Sequence, residues 1–229
     1  MTVSVWQDKS DQEQITSDVL VIGAGIVGSY VASLLADAGM SVVVADAREI
    51  AGGATGRNAG MLLTGLAEHY SRAVESYGVE RAREAWQLTV ENRERSRELA
   101  EGRGVRFQRC GSLLLAVSEA EARELDRSAE MLQEHGFRAQ YEPQDPLNRG
   151  FVAALAQPDD AVIDPVRLTE AILVESGAQV YEHSEVFSIE SEAEGLLVRS
   201  RRATFHPQFC VLAINGYAPL LEPYFADRV

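Results

Sequence analysis

The feature that most constrains this chain of 229 residues is a glycine-rich turn set between two apolar segments. Residues 18–28 read DVLVIGAGIVG, a short apolar strand that runs directly into Gly23, Gly25 and Gly28. Eighteen residues after Gly28, a second apolar segment closes at Asp46. A glycine fingerprint alone is a weak signal, but a strand, a helix start and an acid at this spacing together indicate a βαβ unit that holds a dinucleotide.

Each position of the fingerprint has a physical role. Gly23 can adopt the backbone angles of a tight turn, Gly25 leaves room for a pyrophosphate, and Gly28 lets the helix pack closely on the sheet. The helix that begins near Gly25 directs free amide groups and its positive dipole end at the phosphates. Asp46 is expected to accept hydrogen bonds from the adenosine ribose, and its charge disfavours the 2′-phosphate of NADP. The alternative is a strand–helix turn of an α/β protein that binds no ligand.

Composition narrows the classes of partner. The formal net charge is −14, which disfavours nucleic acid or an anionic membrane surface as the main partner. No signal peptide and no apolar run of about 18 residues is present, so no membrane span is predicted and the cytoplasm is the expected location. Cys110 and Cys210 follow no metal or redox spacing, so no metal site is predicted and both are expected to be buried free thiols.

Hydrophobic periodicity gives a coarse prediction of the elements beyond the fingerprint. Residues 1–16 are polar and predict a flexible leader. Residues 67–101 predict one long amphipathic helix, because apolar positions recur at helical spacing. Ser118 begins a capping-box pattern that predicts a further helix. Two separate strands are predicted at 203–206 and 209–214, and the segment 138–158 is predicted to be irregular.

A second stretch of small residues follows the fingerprint. Residues 48–60 read REIAGGATGRNAG, which predicts a loop whose backbone passes close to another group. The alternative is a flexible linker. The position of the loop, directly after the fingerprint, favours the first interpretation.

Four segments together resemble the FAD-dependent amino-acid and amine oxidoreductases of the D-amino-acid oxidase, glycine oxidase and sarcosine oxidase superfamily. They are the fingerprint at 19–28, the loop GGATGRNAGM at 52–61, the segment IDPVRL at 163–168 and the strand VLAINGYAP at 211–219. The loop at 52–61 is the most specific of the four. The resemblance covers nearly the whole chain from residue 17, whereas members of the family are usually much longer.

The resemblance implies an α/β fold, with a Rossmann-like FAD-binding domain of the glutathione-reductase type and part of an inserted α+β substrate domain. The FAD-binding domain would be discontinuous and formed by residues 17–66 and 158–229. Residues 67–157 would form a helical segment and the partial substrate domain.

The resemblance also implies which residues surround the FAD. The pyrophosphate would be surrounded by Gly23, Ala24, Gly25, Ile26, Val27 and Gly28. The adenosine end would be met by Asp46, Ala47, Arg48 and Val186. The pyrophosphate and ribityl chain would pass Gly53, Thr55, Arg57 and Asn58, the flavin ring would lie near Ala59, Gly60 and Met61, and the opposite side would be lined by Ala213, Asn215 and Gly216. Because no histidine lies between Arg48 and Gly60, non-covalent FAD is predicted.

The chemistry that the resemblance implies is oxidation of a C–N bond of a small amino acid or amine, by hydride transfer to the flavin. A dehydrogenase that passes electrons to a carrier rather than to oxygen is a second enzyme hypothesis. The alternative from a different class is an FAD-binding subunit, or an inactive remnant, of a split oxidoreductase. A second polypeptide would then supply the missing C-terminal half. No catalytic side chain is predicted, and His69 fits a surface or packing role better than a catalytic one.

Overall fold

The computed structural model of the protein describes residues 13–228. In chain order the strands of this part are β1 (Glu13–Ile22), β2 (Val42–Ala45), β3 (Met61–Leu62), β4 (Phe107–Arg109), β5 (Ser112–Ala116), β6 (Gln140–Glu142), β7 (Ala153–Gln157), β8 (Ala161–Ile163), β9 (Gln179–Tyr181), β10 (Val186–Glu192), β11 (Gly195–Ser200) and β12 (Ala203–Leu212). The α-helices are α1 (Ile26–Asp37), α2 (Tyr70–Tyr77), α3 (Val79–Glu101), α4 (Glu119–Glu134) and α5 (Pro165–Ser176). Short 3-10 helices cover Thr55–Arg57, Asn215–Leu220 and Pro223–Phe225.

The described residues form two compact units, one of 13–58 with 165–228 and the other of 59–164. The sequence predicted boundaries at 66 and 158 instead. The structure differs because β3 and β4 both pair with β8, so these three strands form one sheet inside the second unit.

The first unit is built on a six-stranded sheet in the order β10-β11-β12-β1-β2-β9. The strands β12, β1, β2 and β9 run parallel, and β10 and β11 join them as antiparallel strands. Val19 and Val21 of β1 pack in one apolar cluster with Ala32 of α1, whereas Leu20 packs in a second cluster with Phe205. Successive side chains of a strand point to opposite faces, so β1 is apolar throughout this stretch because both faces of the sheet are covered.

Strand β1 begins earlier than the sequence predicted. Residues 13–16, predicted as part of a leader, are its first residues because they pair in parallel with β12, where Glu13 lies opposite Ala203 and Ile15 opposite Phe205. Ile15 is buried in the second apolar cluster, which secures this end of the strand. The rest of the predicted leader, 1–12, lies outside the described residues.

Strand β12 is continuous where two strands were predicted. Its pairing with β1 runs across Pro207, which lies opposite Ser17. The antiparallel pairs with β11 involve Thr204 and Phe205, so Pro207 lies beyond that ladder, where a missing N–H is tolerated.

The second unit contains α2, α3, α4 and two three-stranded antiparallel sheets, ordered β3-β8-β4 and β5-β7-β6. The prediction of one helix over 67–101 was wrong: Gly78, with a φ of 83°, separates α2 from α3 in a conformation that side chains other than glycine rarely adopt. The prediction that 138–158 is irregular was also wrong, because β6 and most of β7 lie there. The capping box is confirmed, since Ser118 Oγ accepts from Glu121 N and Glu121 Oε2 accepts from Val117 N.

The two cysteines differ from expectation in one respect. Both are free, but Cys110 is exposed, because it lies in the turn between β4 and β5 rather than within a strand. Cys210 is more enclosed, and burial raises the pKa of its thiol to about 12. Within residues 13–228, no helix is both long and apolar enough to span a membrane, and no group of three or more His, Cys, Asp or Glu side chains is placed to hold a metal ion.

Candidate cofactor site

The glycine turn joins the ends of three parallel strands in the first unit. Gly23 has a φ of 113°, and its amide donates to Ala45 O at 2.8 Å. A Cβ at Gly23 would lie 2.5 Å from Ala213 O, and one at Gly28 would lie 1.8 Å from Gly23 O. Both glycines are therefore required by the close approach of backbone to backbone, as the fingerprint predicts.

The N-terminus of α1 faces this turn. Gly25 precedes the helix with extended backbone and no side-chain cap, and the amide of Ile26 donates to Thr55 Oγ1 at 3.0 Å. Among the residues that the structure describes, the amides of Gly25, Val27 and Gly28 donate to no protein acceptor. Three backbone donors and the positive end of the helix dipole are thus available to an anion.

The small-residue loop folds back onto the glycine turn. Ala51 N donates to Ala24 O at 3.0 Å, and Thr55, which is buried, caps the first amide of α1. The Asn58 amide donates to Ala54 O and Thr55 O at 3.2 and 2.9 Å, which closes the 3-10 helix. These bonds contradict the flexible-linker alternative for the part of the loop that lies in the first unit.

Asp46 ends β2 and turns its carboxylate toward the same turn. Oδ2 accepts from Ala24 N at 2.7 Å, and Oδ1 accepts from Arg48 N at 2.8 Å. A carboxylate offers about four acceptor positions, so roughly two remain after these bonds. The sequence predicted a ribose ligand at Asp46 but missed its second task, which is to hold the glycine turn against the end of β2.

The connection from β9 to β10 lies beside Asp46. Asp46 N donates to Tyr181 O at 3.0 Å, and Ser184 N donates to Asp46 O at 2.7 Å. The Ser184 hydroxyl is buried against that of Ser200, 2.8 Å away. Val186, which the resemblance assigns to the adenine, begins β10 two residues later and is buried.

The end of β12 completes the arrangement. Ala213 N donates to Ile22 O at 2.8 Å, which places Ala213 against the glycine turn. Asn215 has a φ of 49°, and its side-chain oxygen accepts from Gly216 N at 2.6 Å. Both Asn215 and Gly216 are exposed where the chain leaves β12.

The structure does not bring every predicted residue to this turn. Ala59, Gly60 and Met61 belong to the second unit, where Gly60 O accepts from Ile163 N at 2.9 Å and Met61 pairs with Val162. In the first unit Ala47 and Arg57 are exposed, Arg48 is half-buried, and Gly53 has open space where a Cβ would lie.

One supporting residue was missed by the sequence. Glu182 Oε1 accepts from Ile50 N at 2.7 Å and so anchors the start of the small-residue loop. The two residues are 132 positions apart, and no motif connects them.

The glycine turn passes a test for a bound pyrophosphate. The nearest atom to a Cβ on Gly25 would be Thr55 Oγ1, at 3.0 Å, and no other heavy atom lies within 4 Å outside the neighbouring residues. Open space therefore adjoins the free amides of α1, and a side chain at Gly25 would fill it. These features define the dinucleotide-binding half of an α/β protein.

The chain belongs to the FAD dependent oxidoreductase family, whose model matches residues 18–228. Gamma-glutamylputrescine oxidoreductase of Escherichia coli (strain K12) is 30% identical over 94% of this chain and 53% of that protein. Glycine oxidase of Bacillus licheniformis is 30% identical over 89% of this chain and 55% of its own length. The chain thus spans about half the length of these curated relatives.

Solved structures agree on the fold. Glycine oxidase from Geobacillus kaustophilus superposes with a TM-score of 0.75 at 24% identity, over 90% of this chain and 57% of that one. Together with the family match, this confirms the predicted α/β fold class, the FAD-dependent oxidoreductase family and FAD as its cofactor.

The relatives also extend beyond enzymes named for amines. They include one component of the anaerobic glycerol-3-phosphate dehydrogenase of Haemophilus influenzae, which is 28% identical over 84% of this chain and 33% of that protein. Membership of the family therefore does not by itself fix the substrate class.

Proposed function

We propose that this chain holds FAD at the glycine turn and takes part in oxidising a C–N bond of an amine or amino acid. The observation that carries the proposal is the convergence of three separate segments on the first turn of α1. Gly25 leaves the space, Thr55 caps one amide of the helix, and Asp46 holds the turn while keeping acceptor positions free.

Each group has a task in binding the cofactor. The free amides of Gly25, Val27 and Gly28 would donate to the pyrophosphate, and Asp46 would accept from the adenosine ribose. When bound, FAD supplies the acceptor for the hydride that leaves the substrate carbon next to nitrogen. The described residues of the first unit bind and orient the cofactor.

The C–N bond is favoured over other bonds by the pattern of relatives. The two whose names point to an amine or an amino acid each match over 53–55% of their own length, whereas the glycerol-3-phosphate dehydrogenase component matches over 33% of its length. Similarity that extends further through a relative supports a shared architecture around the flavin.

A second candidate function uses the same site: an FAD-binding subunit, or remnant, of a split oxidoreductase that has no activity alone. The observation that favours it is the length of the chain, about half that of the curated relatives. Assay of the purified chain with FAD, a panel of simple amines and amino acids, and an artificial electron acceptor separates the two. Turnover supports the complete enzyme, whereas FAD binding without turnover supports the subunit.

The cofactor site is tested by Gly25→Val. We expect the unsubstituted chain to take up FAD and become yellow, and the variant to lose bound flavin absorbance, because the new side chain occupies the space beside the α1 amides. Ala38→Val, at the exposed far end of the same helix, is the matched control and should keep FAD. Circular dichroism establishes that both variants are folded. Full flavin uptake by folded Gly25→Val contradicts the site.

A further inference from the structure

The most enclosed charged side chain of the second unit is Asp160, which is 0% exposed. Its Oδ1 accepts from the amide and hydroxyl of Thr64 at 2.9 and 2.6 Å, and lies 3.4 Å from Arg93 Nη1. Its Oδ2 accepts from Ser112 Oγ at 2.6 Å and from Gln157 Nε2 at 3.5 Å. Protein groups thus occupy both oxygens of the carboxylate.

The buried ion pair is arranged around Thr64. Arg93, which is 5% exposed, donates through Nη1 to Thr64 Oγ1, while the same hydroxyl donates to Asp160. A hydroxyl has one proton to donate, so these two bonds fix its orientation. Because a buried charge needs its partners, displacing Thr64 would leave both the carboxylate and the guanidinium poorly satisfied.

Thr64 follows the shortest strand of the unit. Strand β3 has two residues, Met61 and Leu62, which pair with Val162 and Ala161 of β8. Two pairs fix a register weakly, and a slip by one residue would turn Met61 to the other face of the sheet. Asp160 immediately precedes β8, so its bonds to Thr64 hold β3 to β8 just beyond the ladder.

We propose that Asp160 is a positioning residue that fixes the register of β3 and so sets how Gly60 and Met61 are presented to the flavin ring. The flavin part of this inference rests on the proposed function, because the resemblance assigns Gly60 and Met61 to the flavin. Met61 is 54% exposed, as a residue that meets a ligand requires. Ser112 and Gln157 hold the opposite oxygen of Asp160 and keep the carboxylate aimed at Thr64.

The first measurement is amide hydrogen exchange in the whole chain without cofactor, with and without Asp160→Asn. The variant keeps the shape of the side chain and removes its charge. We expect exchange at 62–64 to accelerate roughly tenfold or more, because these amides depend on the Asp160 contacts, and exchange in β5 and β7 to change much less. Ser112→Ala removes a partner of the other oxygen and should leave 62–64 close to the unsubstituted chain. Unchanged exchange at 62–64, or equal acceleration over all of 59–164, overturns the proposal.

The second measurement uses the chain reconstituted with FAD. We expect Asp160→Asn to shift the visible absorption and circular dichroism of the bound flavin, with an FAD dissociation constant close to that of the unsubstituted chain, because the pyrophosphate donors belong to the first unit. An unchanged flavin spectrum overturns the proposal. If the unsubstituted chain takes up no FAD, the proposed function fails, and the exchange measurement still decides whether Asp160 fixes the register of β3.

Discussion

Asp46 and Asp160 are two carboxylates with one task in common and opposite surroundings. Each accepts a short hydrogen bond from a backbone amide far away in the sequence, Asp46 from Ala24 N at 2.7 Å and Asp160 from Thr64 N at 2.9 Å. Asp46 is half-buried and its described partners are backbone amides, whereas Asp160 is fully buried and pairs with Arg93. Anchoring a loop is therefore common to both, and unused acceptor positions at an accessible surface distinguish the carboxylate suited to a ligand.

The largest expected effect on this comparison comes from Asp160→Ala. Removing one partner of a buried ion pair costs about 3–5 kcal/mol of stability, because the other charge stays buried. Glu94 Oε1, 3.2 Å from Arg93 Nε, remains as a partner, so we expect the lower part of that range. The free energy of unfolding in urea measures it. Asp159→Ala is the matched control, since Asp159 pairs with Arg109 and Arg138 nearer the surface and should cost about 1 kcal/mol or less. Equal losses in both variants contradict the special role of Asp160.

Asp46→Ala should act on the cofactor. Losing a hydrogen bond between a ribose hydroxyl and a charged acceptor costs about 1.5–3 kcal/mol, so the FAD dissociation constant is expected to rise roughly ten- to 150-fold. Quenching of flavin fluorescence on titration measures the constant. Asp46→Asn keeps one neutral acceptor and should weaken FAD less than Asp46→Ala. A dissociation constant that is the same in Asp46→Ala and the unsubstituted chain would show that this carboxylate does not meet the ribose.

The sequence revealed one of the two carboxylates because their contacts differ in range. Asp46 stands at a fixed spacing from the glycine turn, since strand, helix and strand follow one another in the chain, and the conformations of Gly23 and Gly28 follow from the same local unit. Asp160 and Thr64 are 96 residues apart, and only the pairing of β3 with β8 brings them together. No periodicity or spacing encodes that contact.

The errors in the predicted elements have the same origin. The N-terminal end of β1 reads as a polar leader, and only its partner β12, nearly two hundred residues later, makes it a strand. The break between α2 and α3 depends on a positive φ at Gly78, whereas an isolated glycine in a helical pattern is often tolerated. Local patterns thus predicted the glycine turn, the capping box and the family resemblance. Elements defined by distant partners required the fold.

The smallest expected effect sharpens the comparison from within the Asp160 site. Ser112→Ala removes one hydrogen bond to Oδ2 and leaves Gln157 Nε2 at 3.5 Å, while Thr64 and Arg93 still hold Oδ1. Because the charge keeps its ion-pair partner, we expect a loss of about 1 kcal/mol in the free energy of unfolding. Urea unfolding alongside Asp160→Ala gives the ratio. If Ser112→Ala costs as much as Asp160→Ala, the carboxylate serves mainly to hold β5, and its bonds to Thr64 are secondary. A small loss for Ser112→Ala beside a large one for Asp160→Ala assigns the energy of this site to the side of the carboxylate that faces the segment after β3.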